Sequence, residues 1–449
     1  VLTISPIAGA GSTYYLKGSE SKGAYYLTGN SRTYWGGGAR DALGLKDGEI
    51  RKEDFDRIME GHVPGGMRIG NPCSENGWKH DPGRDFTFSD PKSYSILLQS
   101  PLRDRLLEIK RDALEKAMGY GEKEFAKTRI KGEIVGDQKM VWAAVNEDTS
   151  RANDPNGHAH VVVFNMVQGP DGKFRALDNR LFYDNQVLLG QIYRAELAKG
   201  MKALGFEIEP AGKHGQWEIR DIPKEIRESF SKRRQVILAK IDPENDTAKT
   251  REKICLITRP GKQNILRAEL KKTWSAELAA HGTSFEDLAK PKFKSVQKEP
   301  WKIEERVKSS ANIIAETQSH VSTHNLYKDV MDRTDGHFTI DQIVDEVDRQ
   351  VQNGFLVKSM DGGFVARSVD RRREKLVIEE FRKGQNECKP LLTKKQLGET
   401  FKNTILKDDQ KAGLELLARS HDRTLKIEGI AGTGKTTMLD RPVHHVPVN

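Results

Sequence analysis

Cysteine is nearly absent from this chain: three residues, Cys73, Cys255 and Cys388, stand far apart among 449, with no C-x-x-C spacing. That scarcity excludes a disulfide framework and a cysteine-ligated zinc, and it fits a reducing compartment. Long apolar runs are lacking too, since no window approaches the roughly 18 residues that a membrane span needs. The opening V-L-T-I-S-P-I-A-G-A-G-S-T has neither a basic region nor a long apolar stretch. The chain is therefore expected to be cytoplasmic, with no membrane insertion and no signal peptide. No internal repeat or low-complexity tract breaks it up. What is present is ordinary soluble composition, 36% hydrophobic and 31% charged, in a length sufficient for two or three domains. A net charge of +9 is a modest pointer to a polyanionic partner such as nucleic acid.

The most informative stretch runs from Trp142 to Asn165, W-A-A-V-N-E-D-T-S-R-A-N-D-P-N-G-H-A-H-V-V-V-F-N. An apolar start, a polar turn around Asp154-Pro155-Asn156-Gly157 and the apolar run from Val161 predict two strands and a connection. Alternation along a strand puts His158 and His160 on one face, where two imidazoles can share a metal ion. An antiparallel return brings Glu147, with Asp148 beside it, next to that pair as a third ligand. The H-x-H spacing alone fits two surface or core-edge histidines equally well.

Elsewhere, Gly83 to Ser89 alternates like a half-buried strand, and Asp90-Pro91-Lys92-Ser93 opens a helix with Asp90 as N-cap. Lys92 reads as surface charge, with phosphate contact as the alternative. Leu102, Leu106, Ile109, Ala113 and Ala117 mark one face of a helix over 101–118. Near the start, Tyr14-Tyr15 and Tyr25-Tyr26 form two tyrosine pairs that would also serve as anchors of a small helical core. Trp35 is expected in the core.

The run S-R-x-x-D-P-x-x-H-x-H-x-x-x-x-N (Ser150 to Asn165) and the run G-x-D-x-T-F-S-x-P-K-S (from Gly83) resemble HUH endonucleases, specifically conjugative relaxases of the TrwC/TraI type. The resemblance covers roughly residues 1 to 290. It implies an α+β fold, a central antiparallel sheet with packed helices, and nicking and rejoining of single-stranded DNA at a transfer origin through a 5′-phosphotyrosyl intermediate. In that family three histidines hold a divalent metal on the scissile phosphate. Here the place of the first falls on Glu147, so the implied ligands are Glu147, His158 and His160, for Mg²⁺, Mn²⁺ or Zn²⁺, in a harder and more negative site. The first tyrosine of each pair is implied as nucleophile, Tyr14 then Tyr25, with Tyr15 and Tyr26 as neighbours. Asp85 is implied beside the metal, as proton acceptor for Tyr14 or as the group orienting a histidine. Implied partners are single-stranded DNA at an origin of transfer, relaxosome accessory proteins and a type IV secretion coupling protein. The alternatives are a decayed relaxase that only grips DNA, and a replication-initiation or transposase protein sharing the metal motif.

Residues 220 to 272 read as basic and helical. Lys232, Arg233, Arg234, Arg259 and Lys262 are candidate phosphate contacts, and solvated helix faces otherwise. Residues 291–306 read as a linker and 307–385 as a helical, winged-helix-like module with a two-stranded wing around Asp361-Gly362-Gly363. In 386–449, a helix over 396–417 and a strand at Leu425 to Glu428 lead into Gly429-Ile430-Ala431-Gly432-Thr433-Gly434-Lys435-Thr436, a phosphate-binding loop. Gly429, Gly434, Lys435 and Thr436 are its nucleotide contacts, and it resembles the start of a superfamily 1 helicase. No acidic metal-holding residue or arginine finger follows it in this sequence, so a truncated, vestigial loop without ATP turnover is the expectation.

Overall fold

The computed structural model describes residues 2–7, 33–46, 48, 50–73, 77–242, 245–258, 265–292, 302–402, 405–430 and 432–440. At its centre is an antiparallel sheet built from β1 (Leu2–Pro6), β2 (Thr33–Gly36), β3 (Gly83–Ser89), β4 (Lys139–Thr149), β5 (Pro155–Gln168) and β6 (Phe174–Arg175). The order across it is β1-β3-β5-β4-β2, with β6 pairing with the far end of β5. The α+β architecture read from the sequence is thus the one observed.

The two-residue alternation of the strands separates the two faces. Phe86, Phe88, Val161 and Val163 point to one side and are covered by helices α3 (Arg103–Phe125) and α4 (Gln186–Ala203). Trp35, Val141, Ala143, Val162 and Phe164 point to the other, where α1 (Lys52–Met59) adds Phe55 and Ile58. Trp35 packs 5.8 Å from Phe164, centroid to centroid, as a core residue. Continuing the second parity along each strand leads to Asp85, Glu147, His158 and His160, so the fold places all four on one face.

Helix α2 (Lys92–Leu97) begins later than Asp90 would suggest. Pro91 is its N-cap, and the first-turn N–H groups of Lys92 and Ser93 are taken by the Glu218 carboxylate at 3.1 and 2.7 Å. Asp90 is not a cap but half of a buried ion pair with Lys110. Lys92 is not a surface charge either: its Nζ donates to the carbonyls of Pro155 and Phe230 at 2.8 and 3.0 Å. Burial pushes its ammonium below its ordinary value, against the pull of Asp154 and Glu218.

Helices α5 (Lys232–Leu238) and α6 (Arg267–Ala280) follow. Then come α7 (Ile303–Ala315), β7 (Val321–Ser322), α8 (Thr323–Asp332), α9 (Ile340–Gln352), β8 (Leu356–Lys358) and β9 (Phe364–Arg367). Helix α7 starts inside the stretch read as linker, and the wing has three strands in the order β7-β9-β8. Its apolar side chains, Leu326, Val330, Ile343 and Val347 among them, join the same core as α4, and Gln191 donates across that contact to Lys328 O at 3.3 Å. Further on, the single helix expected over 396–417 is two, Lys394–Lys402 and Asp408–Arg419, the second opened by acidic Asp408 and Asp409 in its first turn. Leu425 to Glu428 is not a strand; among the described residues no neighbouring strand offers it a ladder partner.

Candidate metal centre

The β4–β5 turn explains the residue types of the S-R-x-x-D-P run. Ser150 Oγ accepts from the backbone N–H groups of Ala152 and Asp154, both at 3.2 Å, and closes the turn. Asn153 takes the left-handed conformation at φ 60°, one that asparagine tolerates, and its carbonyl accepts from Trp274 Nε1 at 2.8 Å. Asp154 is buried and accepts the Lys232 N–H at 2.9 Å, capping α5. The strands then pair so that Glu147 lies opposite His158, with a bulge before Thr149 pairs with Pro155.

Glu147, His158 and His160 each offer a ligand atom, and these atoms lie within 4.8 Å of one another. His158 Nε2 is 3.3 Å from Glu147 Oε2, and the two imidazole centroids are 5.2 Å apart. The ring tautomers follow from the acceptors around them. His158 Nδ1 faces the Asn156 carbonyl at 2.9 Å, and His160 Nδ1 faces the Asp85 carboxylate at 2.8 and 3.1 Å. These nearest partners can only accept, which favours the proton on both Nδ1 atoms over the longer approaches of Asn156 Nδ2 at 3.5 Å and Thr87 Oγ1 at 3.3 Å, and makes Nε2 of each ring the candidate ligand atom. Thr87 Oγ1 donates to Asp85 Oδ1 at 3.3 Å and steadies that carboxylate. Two imidazole nitrogens and a carboxylate oxygen converging on one point, with the rings oriented from behind, fit a divalent cation.

Asp148, beside Glu147 in sequence, points to the opposite face and takes no part in this cluster. Its carboxylate meets Arg103 at 2.9 Å and Arg267 at 2.7 Å, and Arg267 also stacks over Trp274. Burial opposes its ionisation, but the guanidinium of Arg267 and then that of Arg103 outweigh it and hold the carboxyl far below the usual range. This anchor was missed in the sequence, because a carboxylate and two arginines 45 and 119 positions away leave no local pattern.

Of the candidate phosphate contacts, Lys232 is engaged with Asp154 at 3.2 Å and Glu277 at 2.8 Å. Arg233 donates to the carbonyls of Cys255 and Thr258, tying two helices together, and Arg234 is exposed. The tyrosines Tyr14, Tyr15, Tyr25 and Tyr26, and also Arg259 and Lys262, lie outside the described residues. In the glycine-rich loop, Gly432 and Gly434 have φ of 84° and 77°. Lys435 Nζ donates to the carbonyls of Gly429 and Ile430, and Thr436 is exposed.

Comparison with known proteins adds to this geometry. Among curated relatives, the multifunctional conjugation protein TraI of Escherichia coli (strain K12) is 33% identical over 280 residues, 59% of this chain. A second Escherichia coli TraI is 34% identical over 280 residues. The chain spans only 15% of the length of these proteins. Among solved structures, the metal-bound conjugative relaxase TrwC in complex with oriT DNA aligns with a TM-score of 0.56 at 27% identity, covering 64% of this chain and 100% of that one. The metal-free TrwC complex with oriT DNA aligns with a TM-score of 0.54 at 26% identity and the same coverage. The family model described as TrwC relaxase matches residues 8–281, more than half of the sequence, and this chain belongs to the TrwC relaxase family.

Proposed function

We propose that this protein is a conjugative relaxase that nicks one strand of DNA at an origin of transfer and later rejoins it. The observation that carries the reading is the convergence of Glu147, His158 and His160, with Asp85 behind His160, in a chain of this family. In this reading the Tyr14 phenol oxygen attacks the scissile phosphorus. A bond from tyrosine to the 5′-phosphate forms, the bond to the 3′-oxygen breaks, the phenol proton is released to solvent, and the leaving 3′-oxygen takes one up to become a hydroxyl. The phosphotyrosyl ester conserves the energy of the broken linkage, so reversal by a 3′-hydroxyl restores the strand. Tyr25 serves the second transfer. A divalent cation, when bound, supplies charge neutralisation at the phosphate. Glu147 and the two imidazoles hold it, and Asp85 is assigned to orienting the His160 ring rather than to accepting the tyrosine proton, because its carboxylate is already committed to Nδ1. A carboxylate in the donor set shifts preference toward Mn²⁺ and Mg²⁺ relative to an all-imidazole site. Single-stranded origin DNA is the substrate in this reading, with relaxosome accessory proteins and a secretion coupling protein as partners in transfer.

The test is covalent capture. Purified protein, incubated with single-stranded origin oligonucleotides and Mn²⁺ or Mg²⁺, is expected to give a slower-migrating adduct on a denaturing gel. Tyr14→Phe is expected to abolish it. Tight oligonucleotide binding without any adduct would instead favour a decayed relaxase that retains only DNA binding.

A further inference from the structure

Directly behind the metal face lies a buried ion pair that none of the chemistry above uses. Asp90, at the end of β3, has a fully buried side chain, and its Oδ2 lies 2.9 Å from Nζ of Lys110, a lysine of α3 that is 1% exposed. Tyr193 of α4 donates its hydroxyl to the other carboxylate oxygen at 2.5 Å. Burial, and then the neighbouring Asp90 charge, push the Tyr193 phenol far above its ordinary value, so it acts as a donor. Buried pairs of this kind contribute little net stability, and apolar replacements of similar volume are often neutral or stabilising. What they do supply is a fixed direction.

That direction bears on His158. The Asp90 backbone N–H donates to the Gly157 carbonyl at 3.0 Å, and the Gly157 N–H donates to Ser95 Oγ at 2.9 Å. Ser95 in turn donates to the Pro91 carbonyl at 2.9 Å, and Lys92 holds the carbonyl of Pro155. The backbone just before His158 is therefore held on one side by the β3–α2 junction, residues 90–95, while β4 pairs with it on the other. Asp90 anchors the β3 end of that junction on Lys110 and Tyr193, and Glu218 holds its helix end through the Lys92 and Ser93 N–H groups. Contact is so close that a Cβ at position 157 would overlap the Asp90 carboxylate, which is why glycine stands there. His158 follows immediately, and its ring is aligned through Nδ1 on the carbonyl of Asn156, inside the same gripped segment.

We propose that the Asp90–Lys110 pair, steadied by Tyr193, is a positioning device: it sets the backbone of residues 155–157 and thereby aims His158 Nε2 at the metal. This rests on the reading of Glu147, His158 and His160 as metal ligands. The pair touches no substrate and is kept for placement rather than for stability.

The test titrates Mn²⁺ into the metal-stripped full chain, for the parent, for Asp90→Asn/Lys110→Met, which removes both charges at nearly constant shape, and for Tyr193→Phe. Mn²⁺ affinity is expected to fall about tenfold in the double variant and about threefold in Tyr193→Phe, at temperatures well below the unfolding midpoint of each. In the metal-free proteins, the His158 ring signals in nitrogen-15 NMR are expected to lose the single Nδ1–H tautomer of the parent. Parent-like Mn²⁺ affinity in the variants overturns the proposal, and a lowered unfolding midpoint with unchanged affinity does so as well. Should the double variant not fold, Tyr193→Phe decides by the same criterion. A parent that binds no Mn²⁺ sinks the metal reading together with the proposal, whereas a parent that binds, matched by its variants, sinks the proposal alone.

Discussion

Glu147 supplies the carboxylate among the three side chains that converge here, and exchanging it is the sharpest probe of the site. Glu147→Gln keeps the shape and removes one unit of negative charge from beside the cation. At about 4 Å and an effective dielectric of about 20, one unit of charge facing a divalent cation amounts to about 8 kcal/mol, much of which the substituted amide oxygen and water recover as ligands. The Glu147 side chain is 28% exposed and its neighbour His158 14%, so solvent reaches the edge of the site. Screening there brings the figure to about 2 kcal/mol, which corresponds to roughly thirtyfold weaker Mn²⁺ binding. Glu147→His restores a third nitrogen donor but not the charge. It is expected to bind Mn²⁺ about tenfold more weakly than the parent while keeping or improving Zn²⁺ affinity, since imidazole suits the softer ion and carboxylate the harder one. Calorimetric titration of metal-stripped protein with each ion at one pH reads both effects. Unchanged Mn²⁺ affinity in Glu147→Gln would refute the assignment of that carboxylate as a ligand, whatever happened to nicking.

Two further outcomes follow from the groups around the site. Asp85→Asn removes the acceptor charge behind His160 at nearly constant volume and is expected to weaken Mn²⁺ binding about tenfold, with the unfolding midpoint little changed; equal affinity would show that the carboxylate does not orient the ring. Arg267→Ala breaks a pair whose side chains are 10% and 13% exposed. Breaking a buried pair costs about 3–5 kcal/mol, but Arg103 stays on Asp148, so about 2 kcal/mol is expected at pH 7. The folded Asp148 carboxyl is depressed, so this stabilisation is present above its unfolded value of about 3.9 and is lost as pH falls toward the folded one. Urea unfolding should therefore show a constant penalty from pH 7 to about 5 that shrinks only in stronger acid. A penalty that grew on acidification would refute the account.

That Glu147, His158 and His160 share one face was legible because strand parity is a local rule. His158 and His160 differ by two, the polar turn sets the antiparallel return, and Glu147 then falls opposite His158 without knowledge of any distant contact. The β3 strand was readable in the same way, and Asp85 follows from it by parity. Contacts that join distant segments were not legible. Asp90 before a proline has the local signature of an N-cap, yet Glu218, 126 positions away from Lys92, fills that role. Leu425 to Glu428 has strand propensity, but a strand needs a neighbour, and propensity says nothing about whether one is present.

Lys110 shows where a signal existed and was passed over. Leu106, Ala113 and Ala117 define the buried stripe of α3, and position 110 is four residues after the first, three before the second and seven before the third. A charge on the apolar stripe of an amphipathic helix must either reach solvent or find an opposite charge inside. Periodicity alone posed that choice, and the 1% exposure of Lys110 shows that it is met by a carboxylate inside. Which carboxylate it would be depends on the junction that β3 makes with the start of β5, and that junction is the one gripping the residues ahead of His158. An ionisable residue on the apolar stripe of its helix therefore leads from the core to the face that carries His158. Asp90→Asn/Lys110→Met asks whether that connection is physical or only spatial.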